Sequence, residues 1–464
     1  VYSPGFHALT AIISGLSGLD PLEVFPVLAP ALLGLPPLAL YTLARRMWGA
    51  WCGVAAALVS GLLIGGSYHY FEDGMYPNMV ASQLLLVLAL CALFELYRAP
   101  SMRTGLAFAL LGSAVVLYHP VASLYLALVL ACTVTYFLPY LVLRDRGRGI
   151  ALFLSLAMLF ALSVLYVWDT YDLFQAVAGV LGASEGAGRG GEAAAMAVGT
   201  QEEFEPVSLL TSVTFPVLCL GLLGAGLLTA NPPGGEGGVP YAFARVTLLV
   251  WAMILLFGSR TPLSGFPQRF ERDLGIPLAL FAAFAIVAVL RSVRLRRPLA
   301  VLAAYLVVVL ALLQIEPTFG DAAEQSWRMV MTPEIAEAGE WLEEHNEGGN
   351  IMVSPHRWNQ VPSRMMLAMG DYTALQSFDE GQLRVPRDLP PSGPQPPLDV
   401  LWVMNNPGGE RTRAIIEKYD VQYIILYKNF PGKPRVPYWE EFENYENLYR
   451  TAFQNGDVVI LEPR

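Results

Sequence analysis

The stretch Ser67 to Asn78, SYHYFEDGMYPN, gathers groups that can do chemistry: Tyr68, His69, Glu72 and Asp73 in close succession. An adjacent acid pair can take a proton from an attacking hydroxyl or hold a divalent cation such as Mg or Mn. In a loop it can equally stand in solvent with no role. Two further histidines, His7 and His119, fall like His69 at the ends of apolar segments. There an imidazole serves as a ligand or as an interfacial aromatic. A second polar stretch, Gly258 to Pro277, GSRTPLSGFPQRFERDLGIP, carries Arg260, Arg269 and Arg272, the last two about one helical turn apart just before an apolar run. A planar guanidinium matches phosphate oxygens, so these arginines suit a monophosphate or diphosphate; the ordinary alternative is nonspecific contact with lipid headgroups.

The elements that must position these groups are membrane spans. The chain has 464 residues, 55% hydrophobic and only 15% charged, the composition of a polytopic membrane protein. Its net charge of −10 excludes nucleic acid as a partner, since phosphate-backbone binding needs clustered cations. A helix needs about 20 apolar residues to cross a bilayer. The runs that qualify are 23 to 43, 48 to 66, 76 to 97, 104 to 118, 120 to 143, 149 to 167, 206 to 229, 240 to 257, 275 to 291 and 298 to 314, about ten transmembrane helices. Gly5 to Leu19 reads as an interfacial helix. Cys52, Cys91, Cys132 and Cys219 lie in apolar runs and read as small buried side chains. The first residue is Val1, so the chain is expected to be a fragment or a processed form.

Arginine sets the orientation, because residues 1 to 314 contain no lysine. One set of loops holds Arg45, Arg46, Arg98, Arg103, Arg144, Arg146, Arg148, Arg291, Arg294, Arg296 and Arg297; the other holds Arg189, Arg260, Arg269 and Arg272. The richer set belongs in the cytoplasm, which puts both polar stretches and the three membrane-domain histidines outside. The positive-inside bias disfavours arginine on that side, which favours specific use of those present. The Gly- and Ala-rich stretch 168 to 205, also outside, reads as a connector or as a lid whose ends carry Asp169, Asp172 and Glu202.

After Gln314 the composition changes. Residues 317 to 464 hold all three lysines and many acids, and read as a separate α/β domain with a helix from Pro333 to Asn346 capped by Thr332. Strands are expected at Ile351 to Ser354, Val421 to Tyr427 and Asp457 to Glu462, with helices at Glu410 to Tyr419 and Tyr438 to Tyr445. His356, Arg357 and Trp358 read as a surface loop that could touch a sugar. The membrane domain is placed at 1–316 and the external domain at 317–464.

Several stretches resemble the membrane-embedded glycosyltransferases of the C type, the superfamily of oligosaccharyltransferases, protein mannosyltransferases and aminoarabinose transferases. They are YSPGFHAL before a span, PPLALYTLARRMWG, MYPNMVASQLLLVLAL, LYHPVASLYLAL, QRFERDLGIPLAL and EIAEAGEWLEEHN. The resemblance implies transfer of a sugar from a polyprenyl-phosphate-linked donor to a glycan, lipid or protein acceptor of the cell envelope, at the outer face of the plasma membrane. It gives Glu72 and Asp73, by position, the role of base or metal ligand, and Arg269 and Arg272 that of phosphate binding; the superfamily's acid of the first external loop is not carried over, because that loop is expected to lie largely upstream of Val1. The WWDYG-like signature of oligosaccharyltransferases is missing from the sequence. A transporter or lipid flippase is the reading from a different class, and it calls for polar residues deep within helices. A third is an inactive scaffold whose external domain binds envelope polymer.

Overall fold

The computed structural model describes residues 5–19, 21–64, 66–72, 75–170, 213–230, 238–261, 267–292, 332–346, 348–354, 374–376, 396–428 and 438–464. They form two compact units, one before and one after residues 293–331.

The first unit is a helical bundle. Its described helices are α1 (Gly5–Ser17), α2 (Pro21–Leu33), α3 (Leu35–Trp48), α4 (Ala50–Leu63), α5 (Gly66–Glu72), α6 (Tyr76–Arg98), α7 (Met102–Tyr118), α8 (Pro120–Leu143), α9 (Arg146–Thr170), α10 (Phe215–Ala230), α11 (Gly238–Arg260) and α12 (Pro267–Ser292). Five of them, α6, α8, α9, α11 and α12, are long and apolar enough to cross a membrane, and α4, α7 and α10 are shorter apolar helices. The molecule is thus a polytopic helical membrane protein with a small α/β unit after it. The spanning windows of α12 and α6 are 72% and 67% buried, against 17% for α9. Those two form the middle of the bundle, and α9 lies at its rim.

Local chemistry sets the ends. Ser101 and Thr104 form a reciprocal capping box that starts α7. His119 is the extended residue between α7 and α8, followed by Pro120 at the first helical position of α8. Gly224 of α10 lies so near α12 that a Cβ there would stand 1.9 Å from the carbonyl oxygen of Phe281; only glycine permits that approach. At the end of α6 away from Tyr76, Arg46 pairs with Glu95 at 2.9 Å and Tyr97 stacks on Phe243 with centroids 3.9 Å apart. Cys52 and Cys91 are buried as expected, whereas Cys132 and Cys219 are exposed on helix faces, and none of the four is in a disulfide.

Three expectations need correction. The run 23 to 43 is not one helix: it breaks at Gly34, where Leu35-Pro36-Pro37 starts a new helix that a preceding turn cannot continue. Ser67 to Asn78 is largely helical, as α5 and the start of α6. Most of Gly258 to Pro277 is helical too, since α11 runs to Arg260 and α12 begins at Pro267 and continues through Pro277. The expected span 298 to 314, residues 171–205 of the Gly- and Ala-rich stretch, and His356, Arg357 and Trp358 lie outside the described residues.

The second unit is a mixed five-stranded sheet in the order β2-β1-β3-β5-β4, with β1 Asn350–Val353, β2 Ala374–Gln376, β3 Val421–Tyr427, β4 Tyr449–Gln454 and β5 Val458–Pro463. The first three are mutually parallel, and β5 runs antiparallel to both β3 and β4. Helices α13 (Pro333–His345), α14 (Pro396–Asn405), α15 (Glu410–Lys418) and α16 (Tyr438–Glu443) accompany it. The Thr332 hydroxyl accepts from the Ile335 amide, the expected cap. Strand β3, VQYIILY, is almost wholly buried, as a central strand covered on both faces must be.

Candidate functional site

Helix α12 brings Arg269 and Asp273 one turn apart on one face, because residues four apart overlie each other. Asp273 is 1% exposed, so its carboxyl group must be met by donors. Two helices supply three of them. Tyr70 of α5 donates its hydroxyl to Oδ2 at 3.0 Å; from α6, Ser82 donates to Oδ1 at 2.7 Å and the Gln83 Nε2 to the same oxygen at 3.2 Å. Gln83 is itself fixed by the Ser67 hydroxyl, which donates to its Oε1 at 2.5 Å. Residues Val80–Leu85 form a π-helical segment of α6, and the widened turn is where Ser82 and Gln83 reach α12.

Close approach of α5 to α12 makes this cluster possible. A Cβ on Gly66 would lie 2.2 Å from the Arg272 carbonyl oxygen, and that obstacle is backbone. The Arg272 guanidinium sits over the Tyr70 ring, 5.5 Å from its centre. Gly66→Ala is therefore expected to force α5 off α12 and to lower stability by about 1–3 kcal/mol, the range for overpacking. A drop in the thermal unfolding midpoint of the purified protein in detergent checks this.

Across from the cluster, Arg269 meets His119, with Nη1 3.4 Å from Nε2. His119 is 8% exposed, and its Nδ1 accepts the Val121 amide at 3.2 Å as the cap of α8. An imidazole that accepts at Nδ1 carries its proton at Nε2. The two facing nitrogens are then both donors, and an arrangement of converging donors is completed by an anion's oxygen.

An apolar cavity of about 720 Å³ opens between α8 and α11. Leu124, Leu128 and Cys132 line one wall, Leu249, Met253 and Phe257 the other, and Gly258, Thr261 and Phe270 complete the lining. Phe270 follows Arg269 directly and packs edge-on against Tyr125 at 4.7 Å. Phe270 thus joins the lining of the groove to Arg269, its neighbour in the chain.

Of the residues singled out from sequence, the structure brings Arg269 and His119 together and places Arg272 against Tyr70. His69, partly buried, precedes Tyr70 on α5, and Arg260 ends α11. The helices α5 and α1 contain Tyr68, Glu72 and His7, but their side chains lie outside the described residues, as does Asp73. Among the described residues no three His, Cys, Asp or Glu side chains gather as metal ligands, and Asp273 is occupied by its three donors. The described residues do not make a centre for a divalent cation.

Sequence reading missed Asp273, Tyr70, Ser82 and Gln83, together with the buried Glu271. The signal for them was helical spacing: Phe270 and Leu274, like Arg269 and Asp273, repeat at four residues and continue the apolar run backwards.

No family model and no curated protein matches the chain. Solved structures do. The Archaeoglobus fulgidus oligosaccharyltransferase in complex with zinc and sulfate matches with a TM-score of 0.54 at 16% identity, over 91% of this chain and 59% of that one. Its apo form gives 0.50 at 15%, over 92% and 61%. ArnT from Cupriavidus metallidurans in the apo state gives 0.48 at 14%, over 99% and 87%. The chain spans about three fifths of the length of the archaeal enzyme. At such identities the likeness is one of fold.

Proposed function

We propose that this chain, which has the fold of the membrane-embedded C-type glycosyltransferases, transfers a sugar from a polyprenyl-phosphate-linked donor to an acceptor at the outer membrane face. The observation that carries the reading is the Arg269–His119 pair of donors, with Phe270, the residue after Arg269, in the lining of an apolar groove. A polyprenyl tail in the groove delivers its phosphate to that pair. When the acceptor oxygen bonds to the anomeric carbon, the bond from that carbon to the phosphate oxygen breaks and leaves an anion. Arg269 and His119 stabilise that charge as it forms.

The acceptor hydroxyl must lose a proton, and Glu72 and Asp73, which follow Tyr70 closely in the chain, are the carboxylates assigned to take it. Any divalent cation would fall to the same pair. Residues 317–464 are assigned to the outside, where they hold the acceptor, a glycan, lipid or protein of the cell envelope.

The test is transfer from labelled polyprenyl phosphosugars by full-length protein in membranes. Donor binding is expected in the wild type, with loss of transfer but retained binding in Asp73→Asn. Absence of donor binding by the wild type, or undiminished transfer by the variant, would count against the assignment.

A further inference from the structure

Asn78 stands in the first turn of α6 and is 1% exposed, yet neither its Nδ2 nor its Oδ1 has a hydrogen-bond partner. A buried amide in that condition destabilises the fold, and an apolar side chain of the same shape would not. Such a residue marks a place where stability is given up for something else.

Its position says what. The Asn78 backbone carbonyl accepts from the Ser82 hydroxyl at 2.8 Å, and that same oxygen lies 2.7 Å from Asp273 Oδ1. The neighbours of Asn78, Tyr76 and Met79, belong to a small apolar cluster that also holds Tyr70 and against which Tyr118 packs, and Tyr118 directly precedes His119. Asn78 therefore neighbours both the Asp273 cluster, through Ser82 and Tyr70, and the segment that carries His119, through Tyr118.

The amide's chemistry separates two ligands. A phosphate offers only acceptors and could satisfy Nδ2 while leaving Oδ1 unpaired. Sugar hydroxyls and acylamino groups both donate and accept, so they satisfy both atoms at once. We infer that Asn78 reads the sugar of the donor, while Arg269 and His119 hold its phosphate; this rests on the transferase reading above. Because the amide is covered in the unliganded protein, a sugar reaches it by displacing a neighbouring side chain.

The experiment compares binding of a bare long-chain polyprenyl phosphate with its glucosyl, mannosyl, arabinosyl and N-acetylglucosaminyl forms, using the full chain in lipid nanodiscs. Wild type is expected to prefer at least one sugar-bearing form. Asn78→Leu, which keeps the shape of the side chain, is expected to weaken that form at least tenfold, leave the bare phosphate unchanged, and melt at the same or a higher temperature. Arg269→Gln is expected to weaken both ligands. Preference retained in Asn78→Leu overturns the inference, as does equal loss of both ligands with a lower melting point, which marks a structural role. Wild-type binding of all forms alike overturns it while leaving the phosphate site standing. Binding of none removes the transferase reading and this inference with it.

Discussion

Arg269→Ala is expected to lower kcat/KM for sugar transfer by roughly 100- to 1000-fold, the loss typical of removing one preorganised donor from a developing anion. The size follows from where the guanidinium stands. It is on the first turn of α12, facing the Nε2 of His119 at 3.4 Å, next in the chain to Phe270, which lines the apolar groove. Arg269→Lys is expected to recover only part of the rate, because an ammonium is a point charge and cannot present two parallel N–H groups to a phosphate. Steady-state transfer and the affinity for bare polyprenyl phosphate, measured together, check both statements. An alanine variant with both parameters intact would remove the phosphate assignment.

Asp273→Ala is expected to cost about 2–4 kcal/mol of stability, on the scale of buried polar groups left without partners. The three donors are not equally affected. Tyr70 can turn its one proton to the Arg269 carbonyl at 3.2 Å, and Ser82 its own to the Asn78 carbonyl at 2.8 Å. The Gln83 Nε2 is given no such second acceptor, and Gln83 is fully buried. Asp273→Asn should cost less, since one amide oxygen still accepts from Ser82 and Gln83 while its nitrogen can donate to the Tyr70 oxygen. Thermal unfolding of the three proteins in one detergent gives the order wild type, asparagine, alanine; an alanine variant as stable as wild type would show that the cluster does not tie α5 and α6 to α12.

Much of the architecture was legible because its cause is local. Apolar length alone marks α6, α8, α11 and α12, and Thr332 before Pro333 marks the start of α13. Val421–Tyr427 reads as a strand because seven residues of such composition can only be buried in a sheet. What was not legible depends on tertiary cover. The sequence Arg269-Phe270-Glu271-Arg272-Asp273 reads as a wet loop, since charges next to a span ordinarily face water; it is helical, with Glu271 and Asp273 buried, and Tyr70, Ser82 and Gln83 close over Asp273. Strand β4, YRTAFQ, was missed because it is an exposed edge with little apolar alternation, and β2 because three residues carry no period. His119 and Arg269 were found separately from their types, but their meeting came from the packing of helices far apart in sequence.

The π segment at Val80–Leu85 is in effect a helix that carries one surplus residue. Deleting a single position there would let the backbone relax to regular winding, and everything ahead of it, Tyr76 and Asn78 included, would swing by about 100° around the axis. An excision of that kind should yield a straighter, well-made helix whose leading turn faces the wrong neighbours. The irregularity is thus what keeps the two halves of this helix out of phase, each aimed at its own side of the bundle.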